Sequence, residues 1–217
     1  MVIDEQLISR LLAAAVIILV GFPVHEFSHA FAAYRLGDST AKYQGRLSLN
    51  PIVHFDPLGG TILIVSTLLA GFPIGWAKPT PVNTYNLRGG RRGDIIVSLA
   101  GPLSNLILAA VVAIPLRLVV HDAALMAQID SNQALSMIFG AAEFFLFINI
   151  VLAVFNFLPI PPLDGWHALL GLVDPRTAFN LRQFEQYGFV LLLLIVIAGG
   201  RIIGDIVFTI ERILLGL

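Results

Sequence analysis

The sequence predicts an all-α polytopic membrane protein, a bundle of about four to five transmembrane helices with a re-entrant segment and a short membrane-associated β-hairpin. Three observations predict it. Of 217 residues, 57% are hydrophobic and 12% charged, with mean hydropathy +0.87, and that share of charge is about half a soluble domain's. Several apolar runs reach the roughly 20 residues that cross a bilayer. Lys and Arg gather in some connecting loops and are missing from another.

The elements follow in order. Leu7 to Leu36 is the first apolar stretch, broken only by Gly21 and Pro23. Ala41 to Asn50, ended by Pro51, alternates in polarity and reads as a short strand or hairpin. Leu58 to Ile74 is interrupted by Gly59, Gly60, Gly71 and Pro73, too short and too broken for an easy span. Irregular chain at membrane depth must be buried in protein or line a wet cavity. Ile95 to Val120, Ala134 to Leu158, and Tyr187 to Ala198 with its flanks are the remaining long stretches. The tail from Arg201 to Leu217 mixes Arg201, Asp205, Glu211 and Arg212 with apolar residues, the pattern of an amphipathic helix at the interface or packed on the bundle. One integral membrane domain covers 1–217, with a core over about 7–170 and C-terminal helices over about 185–217.

Charge orients the spans. Arg35, Lys42 and Arg46 follow the first, Lys78, Arg88, Arg91 and Arg92 precede the second, and Arg176 and Arg182 follow the third. The loop His121 to Gln133 has no Lys or Arg and holds Asp122 and Asp130. By the positive-inside rule that loop is outside and the rest are cytoplasmic. The first and third spans then both run inward, which requires Leu58 to Ile74 to re-enter rather than cross. Net charge is −1 with no basic stripe, so nucleic acid is excluded as a partner. With no cysteine, disulfides, thiolate catalysis and Cys-ligated zinc are excluded together, so any metal rests on His and carboxylates.

Inside the first span stands Val24-His25-Glu26-Phe27-Ser28-His29. Ionisable groups in an apolar helix are costly and mark function. Residues four apart share a helix face, so both imidazoles reach one ion while Glu26 stands beside it, the HExxH arrangement of zinc hydrolases. A catalytic zinc takes three protein ligands and keeps one position open. The best source of the third is Asn156-Phe-Leu-Pro159-Ile-Pro161-Pro162-Leu-Asp164-Gly165, where the prolines end the third span and present a carboxylate. Since the first and third spans run the same way, His25, His29 and Asp164 lie at one depth. Two neutral imidazoles and one carboxylate leave a zinc site at about +1, which favours ionised water near neutral pH. Glu26 is then the base that takes the water's proton and returns it to the leaving amine.

His25–His29 with 156–165 resembles the site-2 protease family of intramembrane zinc metalloproteases, in its compact prokaryotic form. Tyr34-Arg-Leu-Gly-Asp38, Gly45 to Pro51, His54 to Pro57, Gly75 to Asn83 and Ala100-Gly-Pro-Leu-Ser-Asn105 are also similar, so the resemblance covers roughly residues 20–170. It implies one Zn2+ per chain held by His25, His29 and Asp164, with Glu26 as acid/base. It implies cleavage of a peptide bond in or next to a transmembrane segment of another protein, usually to release a regulator into the cytoplasm. The expected location is the inner cell membrane, multi-pass, with the site toward the cytoplasm. A single-span membrane protein and the lipid bilayer are the expected partners, and a homodimer is left open. The sequence departs from the family in following Asp164-Gly165 with Trp166 and His167, and its length leaves no room for a PDZ or nucleotide-sensing domain.

Other polar residues carry weaker expectations. Asn149 and Asn156 are two helical turns apart on one face of the third span, and are expected to grip unwound substrate or bond a neighbouring helix. Asn105 either does the same or marks close helix packing. His54 is expected to bond Asp56 or backbone, or to approach the site, and His167 to sit near the metal or at the interface. A strand edge over 45–50 would hold an unwound substrate extended. Two other functions fit an intramembrane His/carboxylate set: a divalent-metal transporter, which would tolerate Gln at position 26, and a non-catalytic helix-binding relative.

Overall fold

Apolar backbone withdrawn from water must satisfy its N–H and C=O groups within its own segment, and this chain does so with helices. The structure, a computed structural model, describes residues 5–70 and 75–217. The end of the Leu58 to Ile74 stretch, residues 71–74, lies outside the described residues. α1 (Glu5–Val16) continues through a π-helical stretch, Ile17–Gly21, into α2 (Phe22–Arg35). Pro23 accounts for the stretch. It has no N–H for the carbonyl one turn back and its ring crowds that carbonyl, so the ladder widens ahead of it and the Phe22 N–H reaches Ile17 O.

Short helices follow: α3 (Thr40–Tyr43), α4 (Pro51–His54) and the apolar α5 (Pro57–Ala70). Two backbone bonds fix where this excursion goes. The Arg88 N–H donates to Leu36 O at 2.7 Å, and the Lys78 N–H donates to His54 O at 2.9 Å. The chain between α2 and the next long helix therefore leaves and returns at the same point, and the residues flanking α5 come back together. A Cβ on Gly75 would lie 2.5 Å from Leu63 Cβ and 2.6 Å from Gly59 O, so the returning chain lies directly on α5.

α6 (Arg91–Val120), α7 (Ala123–Ser131), α8 (Gln133–Asn156), α9 (Asp164–Leu172), α10 (Pro175–Arg182) and α11 (Gly188–Leu215) complete the fold. Among the described residues, three helical stretches are long and apolar enough to cross a membrane: Ala14–Arg35, Arg91–Val120 and Gln133–Asn156. Ala14 and Ile17 pack with Phe145 and Ile148, and further along a Cβ on Gly21 would lie 3.8 Å from Asn149 Oδ1, so the first and third run the same way. A second core joins Ala109, Ala113 and Leu116 of α6, Leu146 and Ile150 of α8, and Val207 and Leu215 of α11. The alanines let the backbones approach closely, the means by which helices associate where lipid removes the hydrophobic drive.

One expectation is corrected. No strand occurs among the described residues, so the β-hairpin over Ala41 to Asn50 is absent, and with it the strand edge proposed to hold substrate. The alternation has another cause: Ala41 and Arg46 are buried while Tyr43 is exposed, with a turn at Gly45 (φ +69) between them. Arg46 donates to the carbonyls of Lys78 and Pro79, and the facing segment contains Pro79 and Pro81, which offer no N–H to a ladder. Arg201 to Leu217 is helical and packs on the bundle through Val207 and Leu215; it forms the second half of α11, because Gly199-Gly200 costs helix stability without removing a hydrogen bond.

Candidate metal centre

α2 carries the histidines just past the π-helical stretch, one turn apart on its inner face. Their ring centroids are 4.8 Å apart and the rings nearly perpendicular, at 77°. His29 Nδ1 lies 2.7 Å from Val97 O and His25 Nδ1 2.5 Å from Asn105 Oδ1. Both acceptors come from α6, and both bind the Nδ1–H tautomer, which turns each Nε2 lone pair inward.

The third group arrives from the other side of the bundle. α8 ends at Asn156, the Pro159–Pro162 run cannot extend it, and α9 restarts at Asp164. Gly165 is required there, since a Cβ would collide with the Phe157 carbonyl and lie 2.5 Å from Leu158 O. Asp164 Oδ2 then lies 3.2 Å from His25 Nε2 and 3.3 Å from His29 Nε2, and the two Nε2 atoms are 3.1 Å apart.

These atoms fit zinc. With the Nδ1 atoms already spent as donors, three lone-pair atoms face one another, and the buried Asp164 Oδ2 has no hydrogen-bond partner. A tetrahedral ion with bonds of about 2.0–2.1 Å separates its ligand atoms by about 3.3–3.4 Å, close to the 3.1–3.3 Å found here. His25, His29 and Asp164 are the cluster among the described residues that could hold a metal. A Cβ on Gly101 would strike His29 Nε2 and stand 2.7 Å from the His25 ring, so α6 leaves this space open only because residue 101 is glycine.

Glu26 is buried beside this cluster, and its Oε2 accepts the Thr80 backbone N–H at 2.7 Å. Asn105 and Asn149 are fully buried. Asn105 Nδ2 donates to Asn149 Oδ1 at 2.9 Å, and Asn149 Nδ2 to Phe145 O at 2.8 Å. Their amides are therefore engaged in holding His25, not turned to an open cleft. Asn156 is half-buried and donates to Leu152 O at 2.9 Å, outside that relay. His54 stands apart from the metal cluster, with Nε2 2.7 Å from Ser48 O, while Asp56 caps the Gly59 N–H instead. His167 is exposed, close enough to Asp94 for their charges to interact, and is not among the clustered metal-binding groups. Sequence reading missed the Val97 carbonyl, which no side-chain pattern reveals, and also Gly101 and Thr80, although both lie within motifs it had singled out.

Residues 13–198 match the model described as Peptidase family M50. The chain belongs to peptidase family M50. Three relatives carry the name "Putative zinc metalloprotease". YwhC of Bacillus subtilis is 43% identical over 178 residues, covering 82% of this chain and 77% of its own. Rip2 of Mycolicibacterium smegmatis is 34% identical over 182 residues, covering 82% of this chain and 64% of its own. Rip2 of Mycobacterium tuberculosis H37Rv is 33% identical over 183 residues, covering 83% and 64%. The M50 chain thus spans less than two thirds of the mycobacterial relatives. No solved structure matches it. Membership in M50, the site-2 protease family, makes this a zinc metalloprotease with the apolar helices of a membrane protein.

Proposed function

We propose that this chain hydrolyses a peptide bond within or next to the transmembrane segment of a single-span membrane protein, with His25, His29 and Asp164 holding one Zn2+ and Glu26 as general base. The observation that carries this reading is the convergence of the three ligand atoms within 3.1–3.3 Å of one another, with the Asp164 oxygen lacking any donor. When bound, zinc polarises the scissile carbonyl and makes water acidic enough to be deprotonated near neutral pH. Glu26 takes the proton from the attacking water and returns it to the leaving amine. Asn105 and Val97 hold the imidazoles in the tautomer that leaves Nε2 free. Asn156, half-buried where α8 unwinds, is the amide best situated to bond an extended substrate.

The location proposed is the inner membrane, with the site toward the cytoplasm. Support comes from the positive loops at the α2–α6 end and the acidic loop at the α6–α8 end. Re-entry of the α5 segment is supported by the Lys78–His54 and Arg88–Leu36 bonds, which bring both of its flanks to one place. The test is co-expression of candidate single-span proteins with wild type and with Glu26→Gln. A fragment should form with wild type alone, while both proteins retain zinc. Cleavage by Glu26→Gln at the wild-type rate would remove Glu26 from this role.

A further inference from the structure

The Thr80 backbone N–H donates to Glu26 Oε2 at 2.7 Å, and the Thr80 hydroxyl donates to the Glu26 main-chain carbonyl at 3.0 Å. One residue, 54 positions away in sequence, therefore grips Glu26 at two points. Its neighbours sharpen the grip. Pro79 and Pro81 have no N–H, so Thr80 supplies the single backbone donor of the three, and Pro81 restricts the backbone of the residue before it.

The segment carrying Thr80 is itself tied down. Arg46, 4% exposed, donates to Lys78 O and, at 3.3 Å, to Pro79 O. The Lys78 N–H is held by His54 O at 2.9 Å, and His54 Nε2 by Ser48 O at 2.7 Å. None of these groups belongs to the candidate ligand set.

We infer that Thr80, braced by Arg46, is a positioning residue that fixes the Glu26 carboxylate for proton transfer, an assignment that rests on Glu26 being the general base. A glutamate ends a chain of three rotatable bonds, and an unheld carboxylate spends little of its time in one productive geometry. With Oε2 engaged by Thr80, Oε1 is the oxygen that receives the proton. The role of Thr80 is therefore in turnover, not in metal retention or substrate binding.

The experiment uses the full chain in detergent micelles, with fluorescein-labelled casein as an unstructured probe substrate whose bonds need no unwinding. Wild type, Thr80→Val, Thr80→Ser, Arg46→Lys and Glu26→Gln are compared for kcat, KM and zinc content. Thr80→Val keeps the N–H bond to Oε2 but loses the hydroxyl bond that seats Thr80 against the Glu26 main-chain carbonyl, and this loosening lowers kcat roughly fivefold to tenfold, with KM and zinc within about twofold of wild type. Thr80→Ser, which keeps the hydroxyl, restores kcat to within about twofold of wild type. Arg46→Lys, which loses the fork but keeps the charge, lowers kcat in the same direction as Thr80→Val.

Amide hydrogen exchange supplies a readout independent of activity. Between residues 79 and 81 only Thr80 has an exchangeable backbone N–H, and its exchange should accelerate at least about tenfold in Glu26→Ala. Equal exchange in wild type and Glu26→Ala overturns the inference. So does wild-type kcat in Thr80→Val alongside an inactive Glu26→Gln. Full activity of Glu26→Gln would instead overturn the reading of Glu26 as base.

Discussion

Asp38 is fully buried and accepts four hydrogen bonds. The donors are Thr40 N at 3.0 Å and Oγ1 at 2.6 Å, Asn83 N at 2.7 Å and Asn86 Nδ2 at 3.0 Å. Burial alone would raise its pKa, but these donors outweigh it and hold the carboxyl below its ordinary value. Its stabilisation is therefore complete above the unfolded pKa and is lost as pH falls through the lower folded one. Asp38→Asn sets an NH2 donor against existing donors and should cost about 1–3 kcal/mol. The loss, read by denaturant unfolding in detergent, should be present at pH 7, and an unchanged midpoint would contradict it. His54 behaves oppositely. Burial is the largest influence and lowers its pKa, the Ser48 carbonyl raises it, and the Arg46 charge lowers it again, for a net fall below 6.5. Below that pH the unfolded chain binds a proton that the native ring refuses, so stability falls with pH between 6.5 and the folded pKa. The melting temperature of wild type should drop more steeply than that of His54→Gln between about pH 7 and about pH 5. Parallel curves would exclude His54 as the source.

At the scale of the element, α2 and α6 are built around one gap. The π-helical stretch before Pro23 sets the rotation of α2, so that both imidazoles face α6. Gly101 keeps the α6 backbone from filling the space between them. Overpacking at such a contact costs roughly 1–3 kcal/mol, and here the yielding atoms would be the candidate ligands, His25 and His29. Gly101→Ala should therefore weaken zinc binding by roughly tenfold or more, measured by competition with a chelating dye, while helix content stays at the wild-type level. Undiminished zinc affinity would mean that the rings move aside without consequence. The same helices show why hydrophobic pattern located the elements but not every boundary. Pro23 was legible as an interruption, yet whether it kinks, breaks or widens a helix depends on what packs against it.

For the whole molecule, the decisive relation is direction: Ala14–Arg35 and Gln133–Asn156 run together and Arg91–Val120 runs against them. Orientation across the bilayer can be tested cleanly because the chain has no cysteine. Single cysteines at Tyr43 and Tyr85, both exposed, should be labelled from the same side, and one at Ala127 in α7 from the opposite side. Labelling of 43 and 85 from opposite faces would mean that the α5 segment crosses, which is incompatible with the proposed topology. The sequence by itself determined the membrane environment, the long spans and the identity of the ligand-type residues. Each rests on local properties, namely hydrophobic run length, proline's missing N–H, and the 3.6-residue period that puts His25 beside His29. Only the tertiary structure decided the rest. The engagement of Asn105 with His25, the burial of Asn149, the Thr80 grip on Glu26 and the absence of a hairpin at 41–50 depend on which backbone donors and acceptors distant segments present to one another. A hydrogen bond requires two partners in register, and one strand of sequence carries only one of them.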